Sequence, residues 1–297
     1  MKSYPVQYLK LDNGETMAYR ECGDPALPEL VLLHGNQSSG AFFEETMNAL
    51  EDRYHILAPD LIGFGDSSYN RQLDTLQDFS EDLALLLEAK NIQNAVVLGW
   101  STGGGIVMEL AVDHPELCGR LVLLDSVSSQ GYPLYRLDEN YKPILTERIY
   151  KREDVENEPV QVVPVRKALE EGNAAMIKAG FDAVLYNLNP PESERYAYLV
   201  DQILKERCLN DVDTALACFN ITDENNGAVD GNGRIHQIQC PVTILHGMKD
   251  LIVPYSEAVR TAQLLGDQAD LIILGGAGHA LLSDRTEAFI RVLESFN

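Results

Sequence analysis

Ser101, His279 and one of two aspartates, Asp250 or Asp125, are the residues whose types and positions suit nucleophilic acyl chemistry. A serine hydroxyl is a weak nucleophile at neutral pH. It needs a base within hydrogen-bond reach, normally a histidine held in one tautomer by a carboxylate. Ser101 stands at the centre of Gly99-Trp100-Ser101-Thr102-Gly103, a G-x-S-x-G pattern. Where a strand turns at once into a helix, the middle residue takes a strained backbone conformation that lifts its hydroxyl above the sheet. The turn crowds the positions two before and two after, which favours residues without a Cβ; Gly99 and Gly103 occupy them. The N-terminus of the following helix would lend partial positive charge to a developing oxyanion.

These residues need a scaffold, and the pattern supplies one. Residues 95–98 form an unbroken apolar run, as expected of a strand covered on both faces, and a helical pattern follows Ser101. Similar runs at 30–33, 55–58, 121–124, 242–245 and 271–274 lead into His34-Gly35-Asn36, Pro59-Asp60, Asp125, His246-Gly247-Met248-Lys249-Asp250 and Gly275-Gly276-Ala277-Gly278-His279. Helical spacing is found at 42–50, 75–89, 255–265 and 287–296, and 6–10 with 15–21 reads as an edge hairpin around Asn13-Gly14. Alternating strands and helices specify an α/β fold with a mostly parallel sheet wound on both faces, in which ligands bind beyond the carboxyl ends of the strands. Ser101, Asp250 and His279 all follow such ends, in that order.

The alternation stops between residues 128 and 235, where only helical patterns such as 165–178 and 192–207 are found. This division predicts a core of residues 1–127 and 236–297 and an inserted, mainly helical cap of residues 128–235. The cap is expected over the rim that carries Ser101, shaping a pocket with Trp100 and with some of Tyr132, Tyr135, Tyr141, Tyr186, Tyr196 and Tyr198. The Asp-, Asn- and Gly-rich stretch 222–234 lacks the register of a calcium loop and reads as a linker.

Composition narrows the partners. With 23 Lys and Arg against 46 Asp and Glu, the 297-residue chain carries a formal charge of −23, which opposes binding to nucleic acid or anionic membrane. Cys22, Cys118, Cys208, Cys218 and Cys240 are scattered, without C-x-x-C pairs or zinc spacing, so no metal is expected. Residues 1–14 contain no apolar signal-like core, and no later segment reaches 18 uncharged apolar residues, so a cytoplasmic address is expected.

With these motifs in place, the chain resembles the α/β-hydrolases that carry a cap domain. The resemblance rests on His34-Gly35, on the D-x-x-G-x-G-x-S stretch from Asp60 to Ser67, on the Ser101 elbow, on Gly247 to Asp250 and on Gly278-His279; Ile62 departs from the proline often found there. It implies a catalytic triad of Ser101, Asp250 and His279, and an oxyanion hole made by the backbone N–H groups of Asn36 and Thr102. Asp125 stays the alternative acid, because some hydrolases of this fold place it there; the 247–254 turn resembles the family's usual acid loop. His34 and His246 are expected to be structural. The activity implied is hydrolysis of a small-molecule carboxylic ester through an acyl-enzyme, with no cofactor. Cleavage of a C–C bond beside a ketone, opening of a lactone, or ligand binding by a receptor on the same scaffold are the alternatives. Oligomeric state is left open.

Overall fold

The computed structural model describes residues 2–296. Strands β1 (Gln7–Lys10), β2 (Thr16–Cys22), β3 (Glu29–Leu33), β4 (His55–Pro59), β5 (Ala95–Trp100) and β6 (Cys118–Leu124) come first. An inserted ribbon follows, β7 (Leu134–Leu137) with β8 (Pro143–Ile149), and then β9 (Val242–Gly247) and β10 (Ala269–Leu274). Eight of these form one sheet in the order β1-β2-β4-β3-β5-β6-β9-β10. Only β1 with β2 and β2 with β4 pair antiparallel; the remaining pairs are parallel, as the alternation predicts.

The helices are α1 (Glu44–Leu50), α2 (Leu76–Ala89), α3 (Thr102–Asp113), α4 (Arg152–Glu156), α5 (Val162–Glu170), α6 (Ala174–Val184), α7 (Ser193–Ile203), α8 (Leu209–Cys218), α9 (Tyr255–Leu265), α10 (Leu281–Asp284) and α11 (Thr286–Glu294). Successive strand residues face opposite sides. In β3, Val31 and Leu33 join the layer that holds Leu83, Ile106 and Ala258 of α2, α3 and α9. Leu30 and Leu32 join the opposite layer, with Met47, Phe289 and Leu293 of α1 and α11. All four side chains are fully buried, which is worth about 2 kcal/mol each and leaves no tolerance for a polar residue. The start of α2 is fixed by a reciprocal cap: the Asp78 N–H donates to Thr75 Oγ1 (3.1 Å) and the Thr75 N–H to Asp78 Oδ2 (2.8 Å). Among the described residues no helix is long and apolar enough to cross a membrane.

Two features of the inserted stretch differ from expectation. The β7–β8 ribbon was not predicted because β8 is largely exposed and its apolar residues make no run. The helical pattern at 165–178 is two helices, since Gly172 takes a positive φ of 62° and Asn173 caps α6 by accepting the Met176 N–H at 3.1 Å.

Candidate active site

Ser101 joins β5 to α3 with φ 54° and ψ −121°, a conformation rarely adopted by a residue with a Cβ. Close packing of the turn holds it there. A Cβ on Gly99 would lie 2.3 Å from the Gly103 carbonyl oxygen, and one on Gly35 would lie 2.7 Å from Ser101 Cβ. The Gly35–Asn36 turn therefore rests directly against Ser101 and Thr102.

His279 follows β10 and Asp250 follows β9, and the two loops converge on the serine. His279 Nδ1 lies 2.7 Å from Asp250 Oδ2 and Nε2 lies 2.9 Å from Ser101 Oγ. A carboxylate can only accept, so Nδ1 carries the proton and Nε2 is free to accept the serine O–H. Asp250 is itself held by two backbone donors. Its Oδ1 accepts the N–H groups of Ile252 and Val253, both at 2.8 Å, and His246 Nε2 lies 3.2 Å from Oδ2. Burial alone would raise this carboxyl, but the facing His279, the His246 contact and the backbone donors hold it below the usual carboxylate range.

Asp125 sits one strand away and has a different task. Its Oδ1 accepts the Gly247 N–H at 2.8 Å and its Oδ2 accepts the Leu281 N–H at 3.1 Å. It thus ties the end of β6 to the end of β9 and to the first residue of α10, keeping the loops of Asp250 and His279 side by side. Full burial pushes its carboxyl up to about 7, against the pull of the nearby histidines.

The other histidines near the site act as struts. His34 Nδ1 lies 2.7 Å from the Gly35 carbonyl and Nε2 accepts the Leu61 N–H at 2.9 Å, so both nitrogens are engaged in shaping the loop; burial pushes this imidazole down to about 4. His246 donates from Nε2 to the Val253 carbonyl at 2.8 Å. The D-x-x-G-x-G-x-S loop is structural in the same way: Asp60 Oδ1 accepts from Gly40 N–H (2.8 Å) and Arg20 Nη1 (3.0 Å).

Above the rim lies a cavity of about 430 Å³ whose lining includes Ser101, His279, Asn36 and Thr102. Its remaining wall comes largely from the insertion, with Leu134, Val162, Ile177, Phe181 and Leu216 among the contributors. Trp100 lines it too, and its Nε1–H donates to the His279 carbonyl at 2.9 Å, which fastens the histidine loop as well as filling space. Tyr132 lines the cavity as expected, but Tyr135 does not: it neighbours Leu134 in β7, and alternation turns it to the other side of the ribbon. Tyr141 is exposed, Tyr186 and Tyr196 pack on each other with ring centroids 5.1 Å apart, and Tyr198 Oη reaches Glu44 Oε1 at 3.4 Å; none of them lines the cavity. A carboxyl group does line it. Asp213 on α8 accepts from Asn36 Nδ2 at 3.0 Å, and it was missed although Leu209, Val212, Ala215 and Leu216 around it fall at helical spacing.

A doubly wound sheet with a strained serine at the β5–α3 turn and an aspartate and a histidine after the last two strands is the α/β-hydrolase plan. Comparison with known proteins agrees: residues 28–157 match the family model described as alpha/beta hydrolase fold, and the chain has that fold. It is 28% identical over 302 residues to Lipase 1 of Psychrobacter immobilis, covering 98% of this chain and 85% of that protein. To the pimeloyl-[acyl-carrier protein] methyl ester esterase of Vibrio atlanticus it is 25% identical over 269 residues, covering 91% of this chain and 94% of that one. Among solved structures it resembles the esterase EaEST from Exiguobacterium antarcticum, with a TM-score of 0.76 and 18% identity over 98% of this chain and 99% of that chain.

Proposed function

We propose that the protein hydrolyses carboxylic esters through an acyl-enzyme on Ser101, with residues 128–235 acting as a cap over the site. The reading rests on one observation above all: the unbroken hydrogen-bonded series from Asp250 through His279 to Ser101 Oγ opens onto a largely apolar cavity. His279 Nε2 takes the serine proton as Oγ attacks the ester carbonyl carbon. The negative charge that forms on the carbonyl oxygen is received by the backbone N–H groups of Asn36 and Thr102, with the positive end of α3 behind them. His279 then gives the proton to the departing alkoxide, which leaves as the alcohol. A water molecule, deprotonated by the same nitrogen, attacks the acyl carbon; the acid is released and Ser101 recovers its proton. Asp250 keeps the imidazole in the tautomer both steps require.

The esters that lipase and esterase names imply for the relatives fit an apolar cavity, and the proposal extends to this chain only the shared chemistry. A panel of p-nitrophenyl esters from acetate to decanoate tests it. Saturable turnover with a chain-length optimum is expected, absent in Ser101→Ala; no turnover of any member would overturn the reading.

A further inference from the structure

Among the described residues, Asp213 supplies the only carboxyl group that lines the cavity. It lies on α8, on the opposite side from the sheet rim, and reaches across to Asn36, whose Nδ2 it accepts at 3.0 Å through Oδ1. Asn36 Oδ1 in turn accepts the Gln37 N–H at 2.9 Å, so the amide side chain is fixed and holds Asp213 in one place. Among the described residues no hydrogen bond reaches Asp213 Oδ2. No cation faces it. The acids that couple to it are Glu158 and Glu206, the latter pushed well above the usual carboxylate range by burial, and the Tyr132 phenol is the third titratable neighbour. Glu158 uses its Oε2 to accept the Val160 and Val162 N–H groups at the start of α5. Both Glu206 oxygens are buried and without a hydrogen-bond partner.

We propose that Asp213 is a specificity-determining residue: its open carboxyl oxygen receives a hydrogen-bond donor, a hydroxyl or an ammonium, carried by the ester, and the same acidic wall rejects esters that bear a second, ionised carboxylate. The inference rests on the ester-hydrolase reading and deepens it. An unpaired acceptor at the wall of an otherwise apolar cavity is costly to cover with hydrocarbon and favourable to cover with a donor. Rejection follows from the neighbours, since a substrate carboxylate would meet Asp213 with Glu158 behind it and no counter-charge among the described residues. Burial, with the field of Glu158, already pushes the Asp213 carboxyl up to about 7 despite the Asn36 hydrogen bond, which is the response of a carboxyl that lacks a cationic partner. An arriving ammonium would reverse that.

The test compares kcat/KM for four esters: propyl butyrate as the neutral reference, 2-hydroxyethyl butyrate, 2-(dimethylamino)ethyl butyrate and monopropyl succinate. They are run on the wild type, Asp213→Asn and Asp213→Leu. In the wild type at least one donor-bearing ester should exceed propyl butyrate by about tenfold or more, the scale of a hydrogen bond to a charged group, and monopropyl succinate should be the poorest. In Asp213→Leu the preference should collapse to about one. A preference for the ammonium that is lost in Asp213→Asn, and one for the hydroxyl that survives there, identify which donor is read. Because each ratio is internal to one protein, a variant of lowered stability still reports. Ratios near one in the wild type, or the same in all three proteins, overturn the assignment of Asp213 while turnover of propyl butyrate leaves the ester reading standing. Absence of all four activities in the wild type overturns both.

Discussion

The rim of the sheet and the wall that faces it build one cavity by different means. On the rim, each functional side chain follows a buried strand by a few residues, and backbone hydrogen bonds set its position: Ser101 by the β5–α3 turn, Asp250 by the Ile252 and Val253 N–H groups, and the His279 loop by Asp125 and Trp100. The facing wall is made of side chains from β7 and α5 to α8, brought together by helix packing rather than by strand ends. Rim positions are therefore inelastic, and a change of one atom there alters chemistry. Apart from Asp213, most wall positions exchange hydrocarbon for hydrocarbon, and a change there alters what fits the cavity.

That contrast can be broken at the rim first, where the effects are largest. Ser101→Ala should lower kcat by about 10⁶-fold, as loss of the nucleophile does in the serine protease whose knockouts set this scale. Asp250→Asn keeps the shape but offers an N–H where His279 Nδ1–H needs an acceptor, and should lower kcat by about 10⁴-fold with the fold intact. Steady-state kinetics with circular dichroism reads both, and a variant within tenfold of wild type would remove Asp250 from the site.

Asp125 sharpens the comparison, because it is a rim carboxylate with a structural task. Asp125→Asn should keep activity within about tenfold, roughly 1.4 kcal/mol in the barrier. It should also lose about 1–3 kcal/mol of stability, since an amide can accept only one of the Gly247 and Leu281 N–H groups with its oxygen. The two aspartates also respond to pH in opposite senses. Asp250, held low in the folded protein, adds stability above the unfolded carboxylate value of about 4 that is lost as pH falls through its folded value. Asp125, pushed up to about 7, stays protonated while the unfolded chain ionises, so its contribution declines as pH rises from about 4 to about 7. The stability gap between wild type and Asp125→Asn should thus narrow between pH 5 and pH 8 in urea unfolding; a gap that does not change with pH would contradict the assignment.

The smallest effect belongs to the wall. Val184 at the end of α6 lines the cavity and is 39% exposed, so a larger side chain can be accommodated there without repacking a core. Val184→Trp should reduce kcat/KM for a decanoate ester relative to an acetate ester by about tenfold, the scale of a few lost methylene contacts. An unchanged ratio would mean that the wall does not set chain length.

The same contrast explains what the sequence made legible. G-x-S-x-G, the Gly247 to Asp250 loop and Gly278-His279 are local patterns, and each fixes its residue relative to a strand whose place in a parallel sheet follows from alternation. The sequence leaves Asp250 and Asp125 as alternatives because both end strands after Ser101; in the structure Asp250 faces His279 Nδ1, whereas Asp125 accepts the Gly247 and Leu281 N–H groups. The wall was read poorly for a physical reason. Tyrosine content suggested the lining, whereas the orientation of each side chain depends on tertiary packing: Tyr132 reaches the cavity, Tyr135 is turned away by strand alternation, and Tyr186 and Tyr196 are spent on each other. Asp213 carries no motif at all; its meaning comes from Asn36, 177 residues earlier in the chain.

The proposed activity requires that His279, oriented by Asp250, make Ser101 a nucleophile at the mouth of this cavity. A fluorophosphonate probe followed by peptide mapping tests it in the wild type, Ser101→Ala and His279→Ala. One label per chain on Ser101 is expected in the wild type and none in either variant. Labelling of a different serine, or labelling of His279→Ala at the wild-type rate, would contradict it.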